Sequence, residues 1–212
     1  MSDGKTTSRR SPSAIILAGG QSSRMGEDKA LIALHGVPLL RQICEVAQQC
    51  AAPVYVVTPW IERYQEVIPN DVRLIQEVPL PKETTPHGPL VGFAQGLAQV
   101  ETDWVLLLAC DLPQLQVAVL QDWVGRLETV PEEAIAFLPR HPKGWWEPLC
   151  GFYRRQCFPL LTDYIQQDKR SFQGWLAQHP VEELQVKERS LLFNCNTPDD
   201  LKEVNNRHQN EA

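Results

Sequence analysis

Residues 14–29 read AIILAGGQSSRMGEDK, a short apolar run followed by a glycine-rich, charged loop. The run 14–18 has the length and composition of a buried strand, and a glycine pair ends it. Gly19 and Gly20 allow the backbone to approach a ligand closely, and exposed N–H groups in such a turn form a concavity that accepts anions. The sequence therefore predicts a strand that delivers an anion-binding loop.

Two cations, Arg24 and Lys29, follow in the same loop. Fixed positive charges beside backbone N–H groups suit a triphosphate, whose negative charge has to be held and spread during transfer. The loop is neither a P-loop nor a GxGxxG fingerprint, because both spacings are missing. On composition alone, a flexible turn with solvated charges explains the loop equally well.

The rest of the chain alternates short apolar runs with longer segments of helical periodicity. The further predicted strands are Val54 to Thr58, Arg73 to Glu77, Trp104 to Ala109 and Ala134 to Leu138; predicted helices cover Leu39 to Cys50, Leu90 to Val100, Leu120 to Leu127, Gln156 to Gln167 and a last segment from about Pro198. Such alternation predicts an α/β fold: a three-layer, Rossmann-like, mostly parallel sheet with helices on both faces. Ligands of these folds lie at the carboxyl ends of the strands, which directs attention to the loops after Ala18, Thr58, Glu77 and Ala109. The segment after Pro139, rich in Trp and Pro, is expected to be less regular.

The polar residues 1–12 are expected to be a disordered lead, residues 13–207 a single domain, and residues 208–212 a tail. A formal charge of -6 and the absence of a basic cluster argue against a nucleic-acid partner. The apolar run after Arg9 and Arg10 is too short for a signal peptide, and no stretch reaches the roughly 20 apolar residues that span a bilayer. Six scattered cysteines show no metal-ligand spacing. We expect no membrane partner and a cytoplasmic location.

Four motifs together resemble the MobA-like nucleotidyltransferase family. LAGGQSSRMGEDKAL at 17–31 is similar to the family's signature loop, HGPLVG at 87–92 to its GPLxG, CDLP at 110–113 to its CDxP, and FNCNTPDDL at 193–201 to its NxNTPEEL. The matches extend over nearly the whole chain, in the family's order. Within the family the resemblance is strongest to the molybdenum cofactor guanylyltransferases.

The resemblance implies a fold of the nucleotide-diphospho-sugar transferase type and a Mg²⁺-dependent transfer of GMP from GTP to a molybdopterin-type acceptor. It also implies transient contacts with molybdoenzymes or with other proteins of cofactor biosynthesis. The implied catalytic residues are Arg24, Lys29 and Asp111, with Asp111 as the metal ligand; the implied binding residues are Leu17, Ala18, Gly19, Gly20, Lys29, Glu77, Gly88, Asp111, Asn194 and Asn196. In the family pattern Leu-Ala-Gly-Gly favours guanine, whereas Leu-Ala-Ala-Gly favours cytosine.

Two carboxylates follow predicted strands and have simpler explanations as well. Asp111 comes after the run 105–109, where it can face the crevice and hold a divalent cation, although an Asp before Pro113 commonly only begins a turn. Glu77 stands where the family usually has an Asp that contacts the nucleotide. Because Glu is one methylene longer, a solvated carboxylate at a strand end is an alternative role for it.

The expected acceptor side rests on two segments. Asn194 and Asn196 are predicted to alternate at the end of a short strand, so that one could face an acceptor, and either Thr197 or Asn196 is expected to cap the last helix. The aromatic segment 145–153 could stack on a flat pterin ring, or it could pack in the core and form a dimer patch. It has Glu147-Pro148 where the family usually has His-Pro.

Two other functions fit the same residues. One is a cytidylyltransferase that acts on a pterin cofactor or on a sugar or polyol phosphate, and Gly19-Gly20 argues against it. The other is a non-catalytic nucleotide-binding regulator, since a fold does not determine a function. The joint presence of Arg24, Lys29 and Asp111 argues against the regulator.

Overall fold

A computed structural model of the chain describes residues 11–19, 28–80, 88–197 and 199–202. A seven-stranded sheet forms its centre, in the order β5-β4-β1-β6-β8-β7-β9. These strands are β1 Ser13–Leu17, β4 Val54–Thr58, β5 Arg73–Gln76, β6 Trp104–Ala109, β7 Ala136–Pro139, β8 Cys150–Arg154 and β9 Val181–Leu184. A two-stranded hairpin, β2 Ala33–Leu34 and β3 Val37–Pro38, stands apart from the sheet.

The strand β1 is central because it pairs in parallel with β4 on one side and with β6 on the other. Ile16, for example, is in register with Val56 and with Leu108. All five residues of β4 and the last five of β6 are buried, as expected for strands covered on both faces. The carboxyl ends of β1, β4, β5 and β6 therefore meet at one edge of the sheet.

Helices cover both faces of the sheet. They are α1 Leu39–Gln48, α2 Ile61–Tyr64, α3 Pro89–Leu97, α4 Val117–Gly125, α5 Phe158–Gln166 and α6 Phe172–Leu176. Alternate strand residues point to opposite faces. Ile16 and Leu108 belong to one core cluster with the apolar sides of α1 and α4, whereas Ile15 and Leu107 belong to another with those of α3, α5 and α6. The predicted three-layer α/β fold is confirmed.

The segment after Pro139 is irregular as far as Leu149, as expected, but two strands of the sheet were not predicted: β8, which follows it directly, and β9, further along the chain. β8 lies between β6 and β7 and runs antiparallel to both. Phe152 and Tyr153 on this strand are fully buried, one in each core cluster, and so fill both faces. Because β8 is reversed, its amino end lies at the same edge as the carboxyl ends of the parallel strands.

The ends of the chain are only partly described. Of the predicted lead 1–12, Ser11 and Pro12 belong to the described residues, and the Pro12 carbonyl accepts a hydrogen bond from the Ala52 N–H at 2.8 Å. The predicted tail 208–212 lies outside them. Within the part of the chain that the structure covers, no helix is both long enough and apolar enough to cross a bilayer.

Candidate active site

A cavity of about 480 Å³ opens at the carboxyl edge of the sheet. Its wall contains every predicted site residue that the structure describes: Leu17, Ala18, Gly19, Lys29, Glu77, Gly88, Asp111, Asn194 and Asn196. Gly20 and Arg24 lie outside the described residues. Motifs that are far apart in the sequence therefore converge on one cavity.

Asp111 is placed at this edge by β6, which ends two residues before it. Its Oδ2 atom lies 3.6 Å from the Lys29 Nζ, and its carbonyl accepts a hydrogen bond from the Cys195 N–H at 2.9 Å. Its Oδ1 atom is buried and has no hydrogen-bond partner among the described residues. Burial raises the pKa of Asp111, while the Lys29 charge opposes that shift.

The surroundings of Asp111 fit a hard divalent cation. A buried carboxylate oxygen without a donor is costly unless a cation or water meets it. In the described part of the chain, no group of three His, Cys, Asp or Glu side chains could hold a metal by itself. Mg²⁺ tolerates such a site, since it commonly takes one or two protein carboxylates and completes its shell with phosphate oxygens and water.

Lys29 connects two of the motifs. Its Nζ donates a hydrogen bond to Asn196 Oδ1 and lies beside Asp111. Its side chain is 18% exposed, so the ammonium group is largely enclosed by the cavity wall. A lysine held between a carboxylate and an amide oxygen is positioned to meet a phosphate that enters the same space.

Asp28, which the sequence arguments did not single out, anchors the residue next to Lys29. Its Oδ2 accepts hydrogen bonds from Arg63 Nη1 and from the Tyr64 hydroxyl, both at 2.8 Å. Its Oδ1 accepts from the Ala30 N–H at 3.1 Å and caps the 3₁₀ turn Lys29–Leu31. The first two bonds tie the end of the signature loop to α2, and the third fixes the turn that carries Lys29.

Glu77 reaches from the end of β5 over the Gly19 backbone. It is 7% exposed, and burial raises the pKa of its carboxyl group. A Cβ atom on Gly19 would lie 2.7 Å from Glu77 Oε2 and 3.1 Å from Pro59 Cδ. Glycine at position 19 therefore leaves the space that the carboxylate occupies. The nucleotide contact expected of Glu77 stays a prediction, but the alternative of a solvated carboxylate does not fit its burial.

Gly88 begins α3 at the wall of the cavity. Its φ of +88° lies in the region that favours glycine, and Pro89 takes the first helical turn, where a proline N–H is not needed. Gly92, one turn later, faces the Glu77 carboxyl carbon, which a Cβ there would meet at 3.5 Å. The glycines of the HGPLVG motif thus form the part of the cavity wall that lies beside Glu77.

Comparison with known proteins agrees with this arrangement of motifs. Residues 14–183 match the MobA-like NTP transferase domain. The chain belongs to this family. A probable molybdenum cofactor guanylyltransferase from Nostoc sp. is 59% identical over 188 residues, which cover 89% of this chain and 87% of the relative. A protein of the same description from Synechococcus elongatus is 46% identical, with 88% of this chain and 94% of that one covered.

Solved structures support the fold. Molybdopterin-guanine dinucleotide biosynthesis protein A from Archaeoglobus fulgidus superposes with a TM-score of 0.76 at 24% identity, covering 93% of this chain and 99% of that one. A nucleotidyl transferase from Methanothermobacter thermautotroptrophicus reaches 0.67 at 20% identity, with 95% and 99% covered. The nucleotide-diphospho-sugar transferase type of fold expected for a MobA-like protein is therefore confirmed.

The NxN element of this MobA-like chain differs from its prediction in shape. Residues 193–196 do not form a strand, and both Asn194 and Asn196 line the cavity instead of pointing to opposite sides. The helical cap belongs to Thr197, whose Oγ1 accepts from the Asp200 N–H at 3.2 Å. Asp200 Oδ2 in return accepts from the N–H groups of Asn196 and Thr197. Asp200 thus binds the backbone N–H of Asn196, and the side-chain oxygen of Asn196 accepts from Lys29.

The aromatic segment 145–153 contributes to the cavity mainly through its non-aromatic residues. Glu147, Pro148, Leu149 and Cys150 line it, whereas Phe152 and Tyr153 are fully buried in the core. Trp145 is 43% exposed and stacks on His141, with the ring centroids 4.0 Å apart. Of the two alternatives, packing in the core holds for Phe152 and Tyr153, which β8 turns into the two faces of the sheet, and no aromatic residue of the segment is among those that line the cavity.

The aromatic side chains that line the cavity are Trp60 and Tyr64, which the sequence arguments missed. Trp60 follows β4, its N–H donates to the Thr58 hydroxyl at 3.1 Å, and Arg63 lies over its ring at 4.5 Å. Their position in the sequence could have indicated them, since the loop after Thr58 is one of the four loops expected beside the ligand. A Pro-Trp pair at the end of a buried strand marks that loop.

Proposed function

We propose that this MobA-like protein transfers GMP from GTP to a molybdopterin-type molybdenum cofactor and releases pyrophosphate, with Mg²⁺ as the required ion. The observation that carries the proposal is the approach of Lys29 Nζ to the Asp111 carboxylate, 3.6 Å apart, in the wall of the cavity that Glu77 also lines. The relatives named as guanylyltransferases of this cofactor support the same substrates.

Guanine fits the Glu77 side of the cavity. Its ring N–H and its amino group are adjacent donors, and a carboxylate accepts from both, as it does from an arginine fork. The backbone of Leu17, Ala18 and Gly19 supplies further groups along the same wall. Cytosine and adenine each present an acceptor where guanine presents its ring N–H, and that acceptor would face the Glu77 oxygen without a proton.

The phosphates fit the opposite part of the wall. Asp111 would hold Mg²⁺, and the ion would supply positive charge against the charge that develops on the phosphates. Lys29 would leave Asn196 and donate to the phosphates, and the N–H groups of the loop that begins at Gly19 would complete the contacts. Arg24 keeps its expected role toward the triphosphate.

Transfer needs no general base on the protein. An oxygen of the terminal phosphate of the acceptor forms a bond to the α-phosphorus of GTP, the bond from that phosphorus to the β-phosphate oxygen breaks, and pyrophosphate leaves with the electron pair. A phosphate monoester is largely a dianion at neutral pH and is already a competent nucleophile. The protein's contribution is alignment and charge stabilisation, chiefly by Lys29 and Asp111.

A cytidylyltransferase is the nearest alternative activity, and a non-catalytic regulator is the alternative without turnover. Incubation of the protein with Mg²⁺, a molybdopterin acceptor and each nucleoside triphosphate in turn, followed by assay of pyrophosphate, separates the three. The proposal expects release with GTP and dependence on Mg²⁺. Release with CTP alone identifies a cytidylyltransferase, and GTP binding without release identifies a regulator. The reaction is assigned to the cytoplasm, where six unpaired thiols suit the reducing conditions.

A further inference from the structure

The cavity contains another acidic side chain, Glu147, for which the proposed transfer has no role. Burial raises the pKa of Glu147, while the charges of His141 and Arg189 and a hydrogen bond from the Trp145 side chain oppose the shift. The side chain therefore lines the site at the cost of partial desolvation. It stands where the MobA-like pattern usually has a histidine, so the role of the family's residue does not carry over to it.

Hydrogen bonds fix the backbone of Glu147 and of Trp146, the residue before it. The Glu147 N–H donates to the Pro139 carbonyl at 2.9 Å. The side-chain amide of Gln173, on α6, binds both backbone groups of Trp146. The Trp146 N–H donates to Gln173 Oε1 at 3.1 Å, and Gln173 Nε2 donates to the Trp146 carbonyl at 2.7 Å. A carboxylate carried by such a backbone is pre-organised for a ligand.

The strand order places Glu147 on the acceptor side of the reacting phosphate. The Ala109 N–H donates to the Leu149 carbonyl at 2.9 Å, so the segment before β8 lies directly beside the segment after β6 that carries Asp111. With strands about 4.8 Å apart, β8 is one step of about 5 Å from β6 but four steps, about 19 Å, from β5. Asp111 therefore separates Glu147 from the base-binding side at Glu77.

Guanine and a pterin share the same polar edge, because both contain a 2-amino-4-oxopyrimidine ring with a ring N–H beside the exocyclic amino group. We propose that the Glu147 carboxylate accepts hydrogen bonds from this edge of the pterin in the acceptor, as Glu77 does from guanine. This inference rests on the proposed function. It makes Glu147 a specificity-determining residue for the acceptor and leaves Asp111 and Lys29 with the phosphates.

Two fluorescent probes test the contact without turnover. Pterin-6-carboxylate has the donor pair, whereas lumazine-6-carboxylate has a carbonyl in place of the amino group and would set an acceptor against the carboxylate. Wild-type protein is expected to bind the pterin about tenfold tighter than the lumazine, since one unpaired buried polar group costs enough for such a ratio. Glu147→Gln should bring the two affinities within about threefold while GTP affinity changes less than about twofold.

Matched variants complete the test. Glu182→Gln, at an exposed position on β9, should keep the pterin preference, and Gln173→Met, which loses both bonds to Trp146, should reduce it. With the natural acceptor, Glu147→Gln should raise KM for the acceptor by about tenfold or more and leave KM for GTP in place. An unchanged pterin-to-lumazine ratio in Glu147→Gln, or no pterin preference in wild-type protein, overturns the inference. A wild-type protein that prefers pterin but releases no pyrophosphate retains this contact and refutes the proposed transfer instead.

Discussion

The side-chain amide of Gln95 pairs with both backbone groups of Val78. The Val78 N–H donates to Gln95 Oε1 at 2.9 Å, and Gln95 Nε2 donates to the Val78 carbonyl at 2.8 Å. Glu77, the preceding residue, has its own N–H bonded to the Thr58 carbonyl at 2.8 Å. The backbone that carries the Glu77 carboxylate is thus held from α3 and from β4 together, as Gln173 holds the backbone before Glu147.

Gln95 is therefore expected to act as a positioning residue for base selection. Gln95→Met retains the length of the side chain and loses both bonds, which should lower the free energy of unfolding by about 1 kcal/mol. It should also reduce the preference for GTP over CTP by about threefold to tenfold, measured as the ratio of kcat/KM values. Gln178→Met, which removes an exposed bond to the Gly174 carbonyl, is the control that should leave this preference unchanged. A loss of stability with full selectivity would reduce Gln95 to a structural role.

Gly19→Ala should erode base selection by a direct contact. The new Cβ would lie 2.7 Å from Glu77 Oε2, and because the carboxylate is the movable partner, it has to leave its place over the loop. A preference for GTP over CTP on the order of a hundredfold is expected for the natural protein and should fall toward unity in the variant. Gly125→Ala, where an added Cβ meets nothing within 4 Å, should leave the ratio intact. Full selectivity in Gly19→Ala would separate this glycine from base recognition.

Glu77→Gln should make the fold more stable at neutral and alkaline pH while it impairs the use of GTP. A carboxyl whose pKa is raised on folding binds more protons in the folded state, so stability falls as pH rises from its ordinary value of 4.5 through the raised value. The glutamine does not ionise and escapes that loss. Thermal unfolding at pH 8 should therefore give a higher Tm for the variant, with the difference shrinking as pH falls below the ordinary value. Glu101→Gln, at an exposed position, should show no such trend; a lower Tm for Glu77→Gln at pH 8 would contradict the argument.

The site residues that follow strands could be predicted from the sequence, because the end of a strand determines the position of the next residues. Gly19 and Asp111 each follow a short, strongly apolar run, and Glu77 follows β5, in which only the two central residues are apolar; in a parallel sheet such strands end at one edge. The hydrophobic pattern predicts where each strand ends, and the end of the strand places the side chain that follows it at this edge. The order β5-β4-β1-β6, which sets the spacing along the edge, comes from pairings between distant segments that a local pattern does not contain.

What the sequence did not predict depends on contacts across the fold. The segment after Pro139 showed no clean alternation, because β8 is buried on both faces and its Phe152 and Tyr153 satisfy opposite core clusters. The sequence left Thr197 and Asn196 as alternative caps of the last helix. Thr197 is the cap because its Oγ1 accepts from the Asp200 N–H, while the Asp200 carboxylate binds the backbone N–H groups of both residues. The pairing of Gln95 with Val78 leaves no sequence signal at all, since any exposed glutamine looks alike in isolation.

Asp111→Asn should abolish turnover and leave the fold intact. The asparagine keeps the shape of the side chain and its neighbour Lys29, but its neutral oxygen is a weak ligand for Mg²⁺. A loss of at least about a thousandfold in kcat is expected, because a bound metal contributes several kcal/mol of charge stabilisation. The Tm should not fall, since the neutral asparagine avoids the cost of burying a charge, and the lost attraction to Lys29 offsets part of that gain. Asp122→Asn, at an exposed position on α4, is the control; activity within tenfold of wild type in Asp111→Asn would show that the metal is held elsewhere.

Lys29→Ala should weaken triphosphate binding and turnover because it removes a cation from the cavity, and not because it changes the net charge of the protein. In the free protein the Lys29 ammonium group is shared between Asn196 Oδ1 and Asp111, so its removal takes away the cation that would meet the phosphates. Hydrogen bonds to charged groups contribute about 1.5–3 kcal/mol, which corresponds to a loss of roughly tenfold to a hundredfold in GTP affinity. Lys202→Ala removes the same charge from an exposed ion pair with Asp199 and should change affinity by less than about twofold. Calorimetric titration with GTP in the presence of Mg²⁺ measures both variants. Equal losses of GTP affinity in both variants would attribute the effect to overall charge. A loss confined to Lys29→Ala, with a smaller effect of Mg²⁺ removal on GTP affinity in that variant, would place the phosphates between Lys29 and Asp111.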